Sequence, residues 1–160
     1  MVIYIIKWED MGKTIDRYQK LEEVLGKENL KKRVDSPFYF VSIASKGLNS
    51  NAIVHFKAYF DLSQKFAAAL LNISEPTLYR LLKSKQDLKR NSSVQLFEAP
   101  ELFLYGIAVF ESKDNFFKWL QLPNTALGGI EPQELIEIPG GISKVRDILG
   151  RIEHGVYIYL

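Results

Sequence analysis

The chain has 160 residues, 47% of them apolar, which suffices for one moderate domain or two small ones around a sizeable core. It has no cysteine, which removes disulfides, thiolate nucleophiles and thiolate metal sites together and fits a reducing, cytoplasmic setting. Net charge is only +2, so any nucleic-acid surface must come from local clustering, and neither a signal peptide nor a membrane-spanning run is expected.

Met1 to Trp8 reads as a short strand or an arm. Thr14 to Val34 reads as a helix, with Thr14 as the cap and Ile15, Tyr18, Leu21 and Leu25 at helical spacing among charged residues. Phe38 to Ala44 has the composition of a strand. Asp35-Ser36-Pro37 before it and Lys46-Gly47 after it are helix punctuation, and they decide for a helix. Asn49 or Ser50 caps the next one, to about Phe60, with Ile53, Phe56 and Phe60 recurring at helical steps.

Ser63 to Lys83 carries the first motif. Ala67 and Ala68 permit close approach of a second helix, and Asn72 stands where the turn needs left-handed backbone. Ile73 plugs the corner, and Ser74 caps a helix opening Glu75-Pro76. Leu78, Leu81 and Leu82 then face inward. With Gln64, Ala68, Asn72, Ile73 and Leu78 in these relative places, the stretch is similar to the helix-turn-helix of the Xre/Cro class, although Asn72 replaces the more usual glycine. Thr77, Tyr79, Arg80 and Lys83 are left outside, where a recognition helix meets bases and phosphates. Lys65 and Lys85, with Lys89 and Arg90, add backbone-neutralising charge. The rival reading of these lysines is an ordinary solvated helix pair.

Asn91 to Phe110 is apolar on most of its surface, and Pro100 within it predicts a kink or two helices meeting. A helix through Phe116 follows, ending at Leu122 before Pro123, with Asn124 capping a short turn that stops at Gly128-Gly129. Glu131-Pro132 restarts the chain with Leu135, Ile136 and Ile138, and Pro139-Gly140-Gly141 stops it again. Ile142 to His154 then puts Ile142, Val145, Ile148, Leu149 and Ile152 on one face. Gly155 ends that helix, and Val156 to Leu160 is an apolar, aromatic tail with an expected partner.

Chemistry is poorly supported. His55 and His154 lack metal-ligand spacing, the glycine pairs lack the Gly-Lys-Ser/Thr of a phosphate loop, and no nucleophile signature occurs. Carboxylates are plentiful, but nothing singles out a catalytic pair. The reading is a non-enzyme with no cofactor. Taken alone, Arg151, Glu153 and His154 read as residues closing a helix end, with Glu153 in solvent.

One spaced set is more specific than any of its pieces. Phe117-x-Trp119-Leu120, Pro123-Asn124-x-Ala126-Leu127-Gly128-Gly129, Pro132-x-Glu134-Leu135 and Val145-x5-Arg151-Ile152-Glu153-His154-Gly155-Val156-Tyr157 together resemble the toxin-binding C-terminal domain of the Xre/MbcA/ParS bacterial antitoxins. The resemblance implies an all-α chain: an N-terminal extension over 1–34, an Xre-like helix-turn-helix and dimerisation region over 35–111, and a toxin-binding domain with tail over 112–160. It implies a RES-class, NAD-targeting toxin as partner, its active site occluded by the C-terminal end. Toxin contacts would then fall on Asn124, Leu127, Gly128, Arg151, His154, Gly155, Tyr157 and Leu160, with Trp119, Leu120 and Leu127 as framework. It further implies a homodimer on operator DNA, assembled partly through the 91–110 helix, and a larger complex with the toxin. The alternative is a stand-alone regulator whose C-terminal domain only dimerises.

Overall fold

In a computed structural model, which describes residues 8–30, 34 and 38–155, with side chains from residue 17 onward except that of Phe40, the regular elements are all helical. The expected all-α fold is therefore found. Of the strand or arm expected over Met1 to Trp8, only Trp8 is among the described residues, and it opens a helix; the tail over 156–160 lies outside them.

The first helix, α1 (Trp8–Leu25), differs from the expected Thr14–Val34 at both ends. Thr14 lies inside it and caps nothing. The helix stops at Leu25 because Gly26 takes φ +77, and a 3-10 turn over Lys27–Asn29 follows. Buried Asn29 donates its side-chain amide to the Leu25 carbonyl at 2.8 Å and accepts from Asn51 at 3.2 Å, so it closes α1 and ties that end to the third helix. The backbone N–H of Val34 donates to Glu22 at 2.9 Å, doubling the chain back on α1.

Residues 39–46 form α2 (Tyr39–Lys46), the helix that the flanking punctuation required over the strand-like composition. In α3 (Asn51–Phe60) the two candidate caps divide the work. Asn49 Oδ1 accepts from the Asn51 N–H at 3.0 Å, while Ser50 Oγ donates to Leu81 O at 2.9 Å. The helix-turn-helix comprises α4 (Gln64–Leu70) and α5 (Glu75–Ser84).

Next comes α6 (Arg90–Phe110), a single helix of 21 residues that continues through Pro100, so the expectation of two helices meeting there is corrected. Proline removes one N–H and crowds the preceding turn, but Pro100 and its neighbours Ala99, Leu102 and Phe103 are buried, and packing on all sides holds the helix together. The expectation that no run could span a bilayer is corrected as well. By length and composition α6 could cross a membrane, yet half of its most apolar window is buried inside the fold, as in a core helix. The C-terminal part comprises α7 (Lys113–Leu120), which stops two residues short of the expected Leu122, then α8 (Pro132–Ile136) and α9 (Gly141–Glu153).

One core serves the whole molecule. Phe103, fully buried on α6, has the rings of Phe56 and Phe60 from α3, Phe66 from α4, and Phe116 and Phe117 from α7 within 5.3–6.3 Å, mostly tilted or edge-on. On its other sides α6 packs against α1, α2 and α9.

Ser93 is the polar anchor of this arrangement. Fully buried, its hydroxyl accepts from the Leu48 N–H at 3.0 Å and donates to the Leu88 carbonyl at 3.2 Å. It thereby joins the loop before α3, the loop after α5 and the start of α6. Ser93→Ala leaves a buried N–H and carbonyl each one partner short, so a loss of about 1–3 kcal/mol is expected from urea unfolding. A change under about 0.3 kcal/mol would show that the hydroxyl is dispensable.

Candidate functional site

Two exposed regions carry the residues singled out by the sequence. The first is the helix-turn-helix. Ser63 Oγ accepts from the Phe66 N–H at 3.1 Å and opens α4, whose Ala67 and Ala68 are buried against neighbouring helices. Asn72 adopts φ +54, the left-handed backbone its place in the turn demands. Ser74 opens α5 by accepting from the Thr77 N–H at 3.3 Å, and its hydroxyl also meets Thr77 Oγ1 at 2.9 Å. Arg80 Nη2 donates to that same Thr77 Oγ1 at 3.2 Å. The result is a chain of contacts that holds the Arg80 guanidinium along the outer face of α5, with most of its donors unused.

Leu78 is fully buried, whereas Leu81 and Leu82, both expected inside, are only half-buried. Leu82 lines a shallow depression of about 1100 Å³ together with Gln64, Pro76, Tyr79, Arg80 and Lys83. Tyr79 is 64% exposed, which is costly for an aromatic ring without a partner to cover it. Lys85 occupies the C-terminal end of α5 at φ +51, its N–H donating to Leu81 O at 3.1 Å and its carbonyl accepting from Asn49. Lys65 is exposed on α4 within electrostatic reach of Glu137, whose carboxyl is raised chiefly by burial. Thr77, Tyr79, Arg80 and Lys83 thus share α5, while Lys65 and Lys85 flank it on other segments. Asn49, expected only as a candidate cap of α3, also braces the end of α5. Its role depends on pairing the 47–50 loop with residues 85–88, which local spacing does not announce.

The second region is the C-terminal part. Asn124 Oδ1 accepts from the Ala126 N–H at 2.9 Å, as its expected capping role requires. Its backbone N–H donates to Ile130 O at 3.1 Å and its carbonyl accepts from the Gly129 N–H at 2.9 Å, closing a tight loop. Leu127 is half-buried in this loop, and Gly128, at φ +69, faces open space. Leu122 and Ile130 at its two ends are exposed, as is Ile138, which was expected on the apolar face with Leu135 and Ile136. Trp119 packs against the core, and Leu120 is fully buried within it.

At the end of α9, Arg151, His154 and Gly155 are all exposed. His154 Nδ1 lies 2.7 Å from Gly150 O. Glu153 is exposed, as expected, and also accepts from the Tyr105 hydroxyl at 2.5 Å. Burial first, then this bond to a carboxylate, push the Tyr105 phenol up to about 12. Tyr157 and Leu160 lie outside the described residues. Beside this helix end opens a cavity of about 680 Å³ whose walls come from α1, α6 and α9. Among the described residues no group of three or more potential ligands could hold a metal ion.

Two comparisons with protein families agree with this geometry. Residues 40–96 match the antitoxin Xre-like helix-turn-helix domain, and residues 106–155 match the antitoxin Xre/MbcA/ParS C-terminal toxin-binding domain, together about two thirds of the chain. No curated protein matches it.

Proposed function

We propose that this chain, which belongs to the Xre/MbcA/ParS antitoxins through both matched domains, neutralises a RES-class, NAD-consuming toxin by seating its C-terminal end in the toxin's active site, and represses its own operon as a homodimer. That the chain is a non-enzymatic antitoxin with a DNA-binding and a toxin-binding domain is given by the family. The identity of the toxin, the manner of blocking and the autorepression are the proposal. The observation that carries it is the end of α9, where Arg151, His154 and Gly155 stand exposed directly before the run Val-Tyr-Ile-Tyr-Leu. The apolar and aromatic side chains of that run suit a concave small-molecule site, and excluding substrate requires no chemistry from the antitoxin.

Removal of residues 156–160 is expected to leave operator binding and the circular dichroism spectrum unchanged and to abolish rescue of cells expressing the toxin. Full protection by the truncated protein overturns active-site occlusion by the tail. At the other end, Arg80→Ala is expected to weaken operator binding by about 10–100-fold in a duplex titration, as the loss of one base or strong phosphate contact does. Toxin neutralisation should be untouched. If no toxin is encoded beside this chain, the reading reduces to a stand-alone regulator that dimerises through its C-terminal domain.

A further inference from the structure

The cavity at the end of α9 is walled partly by a helix outside both matched domains. Arg17 belongs to α1, Glu101 and Tyr105 to α6, and Arg146, Asp147, Arg151 and His154 to α9. Glu101, its side chain only 18% exposed, uses both carboxylate oxygens. Oε1 takes the Arg17 guanidinium and Oε2 takes Arg146 at 3.3 Å. Two forks of the same sign therefore converge on one half-buried acid, and 53% of the Arg17 side chain and 39% of that of Arg146 stay open to solvent.

A guanidinium offers five donors, so most remain for a second acceptor, and holding the fork on a half-buried carboxylate removes the entropy that a free side chain loses on binding. The crowding is visible in Arg17 itself, whose affinity for its proton is lowered by burial first and by neighbouring Arg146 second. Arg151 adds a third guanidinium and His154 an imidazole. Glu101 and Asp147 are the acids lining the same wall among the described residues.

We infer that this cavity is a carboxylate-receiving part of the toxin interface, in which Arg17 of α1 and Arg151 of α9 grip one acidic side chain of the toxin. The inference rests on the proposed toxin-binding role of the α9 end and extends the interface beyond residues 106–155. A carboxylate fits better than an apolar side chain, because the guanidiniums that line the cavity keep N–H donors beyond those that Glu101 accepts. It fits better than nucleic acid, because the cavity lies at the α9 end of the toxin-binding match, while the exposed face of α5 carries the DNA-type residues.

The test uses the full chain and the toxin encoded in the adjacent reading frame. Arg17→Met and Arg151→Met are each expected to weaken toxin binding about tenfold in calorimetry, to flatten its dependence on salt, and to leave operator affinity within twofold of the parent. A photo-crosslinking residue at position 17 is expected to capture the toxin, and one at position 85 is not. Toxin affinities within twofold of the parent, or capture from 85 and not 17, overturn the inference while the occlusion reading stands. If the parent chain itself fails to bind the toxin, the occlusion reading falls first.

Discussion

Phe103→Ala should lower the free energy of unfolding by about 3–5 kcal/mol, the range for deleting a large aromatic from a core that cannot collapse around the gap. Collapse is hindered here because the five surrounding rings come from three helices, α3, α4 and α7, and belong to or pack against the same core cluster. The stacked partner, Phe66 at 6.3 Å, sits on the first helix of the helix-turn-helix, so the cavity opens beneath the DNA-reading unit as well as the C-terminal part. Chemical unfolding of parent and variant measures the difference directly. A loss below about 1 kcal/mol would mean that the ring cluster repacks freely and is not the common centre of the fold. Phe103→Leu, which retains most of the volume, should cost less than the alanine variant.

Gly141→Ala should be worse for the C-terminal part than its single added methyl suggests. A Cβ at this position would lie 1.6 Å from Leu135 O and 2.5 Å from Leu135 C, both backbone atoms of α8. Backbone cannot rotate away as a side chain does, so α8 and α9 must separate or the Gly141 turn must unwind. The expected outcome is loss of hydrogen-exchange protection across α9 and a destabilisation above about 4 kcal/mol, in the range reserved for severe steric conflict. Gly140→Ala is the internal comparison. That glycine has φ +82 but open space around it, so alanine costs only the left-handed backbone, about 1–2 kcal/mol. Equal effects at the two positions would refute the close-approach argument.

Local chemistry made much of this fold readable. Ser74 and Asn124 each accept the backbone N–H that their place in the sequence implies, and Asn72 takes the left-handed turn. Gly47, at φ +74, ends α2 where the Lys46-Gly47 pair said it would. The failures are long-range. Thr14 stands directly before the apolar spacing that begins at Ile15, as a cap would, but α1 runs through it from Trp8. Gly26 was passed over as an interior glycine when its positive φ makes it a stop. Pro100 was given the weight it would have in an isolated helix, where no surrounding core compensates for its lost hydrogen bond.

The site was legible in the same measure. Thr77, Tyr79, Arg80 and Lys83 share one short helix, so a period of 3.6 suffices to group them. Arg17, Glu101 and Arg146 are separated by dozens of residues and meet only because α1 and α9 flank α6. No pattern within a window of sequence encodes such a meeting.

The long helix α6 passes under the helix-turn-helix, carries Phe103 at the middle of the aromatic cluster, and enters the toxin-binding match at Gly106, where the Phe116 ring leaves no room for a Cβ. The two activities are consequently two ends of one girder. A chimera that transplants this toxin-binding part onto another DNA reader must bring the whole girder with it, since a cut between residues 96 and 106 severs the beam on which both ends rest.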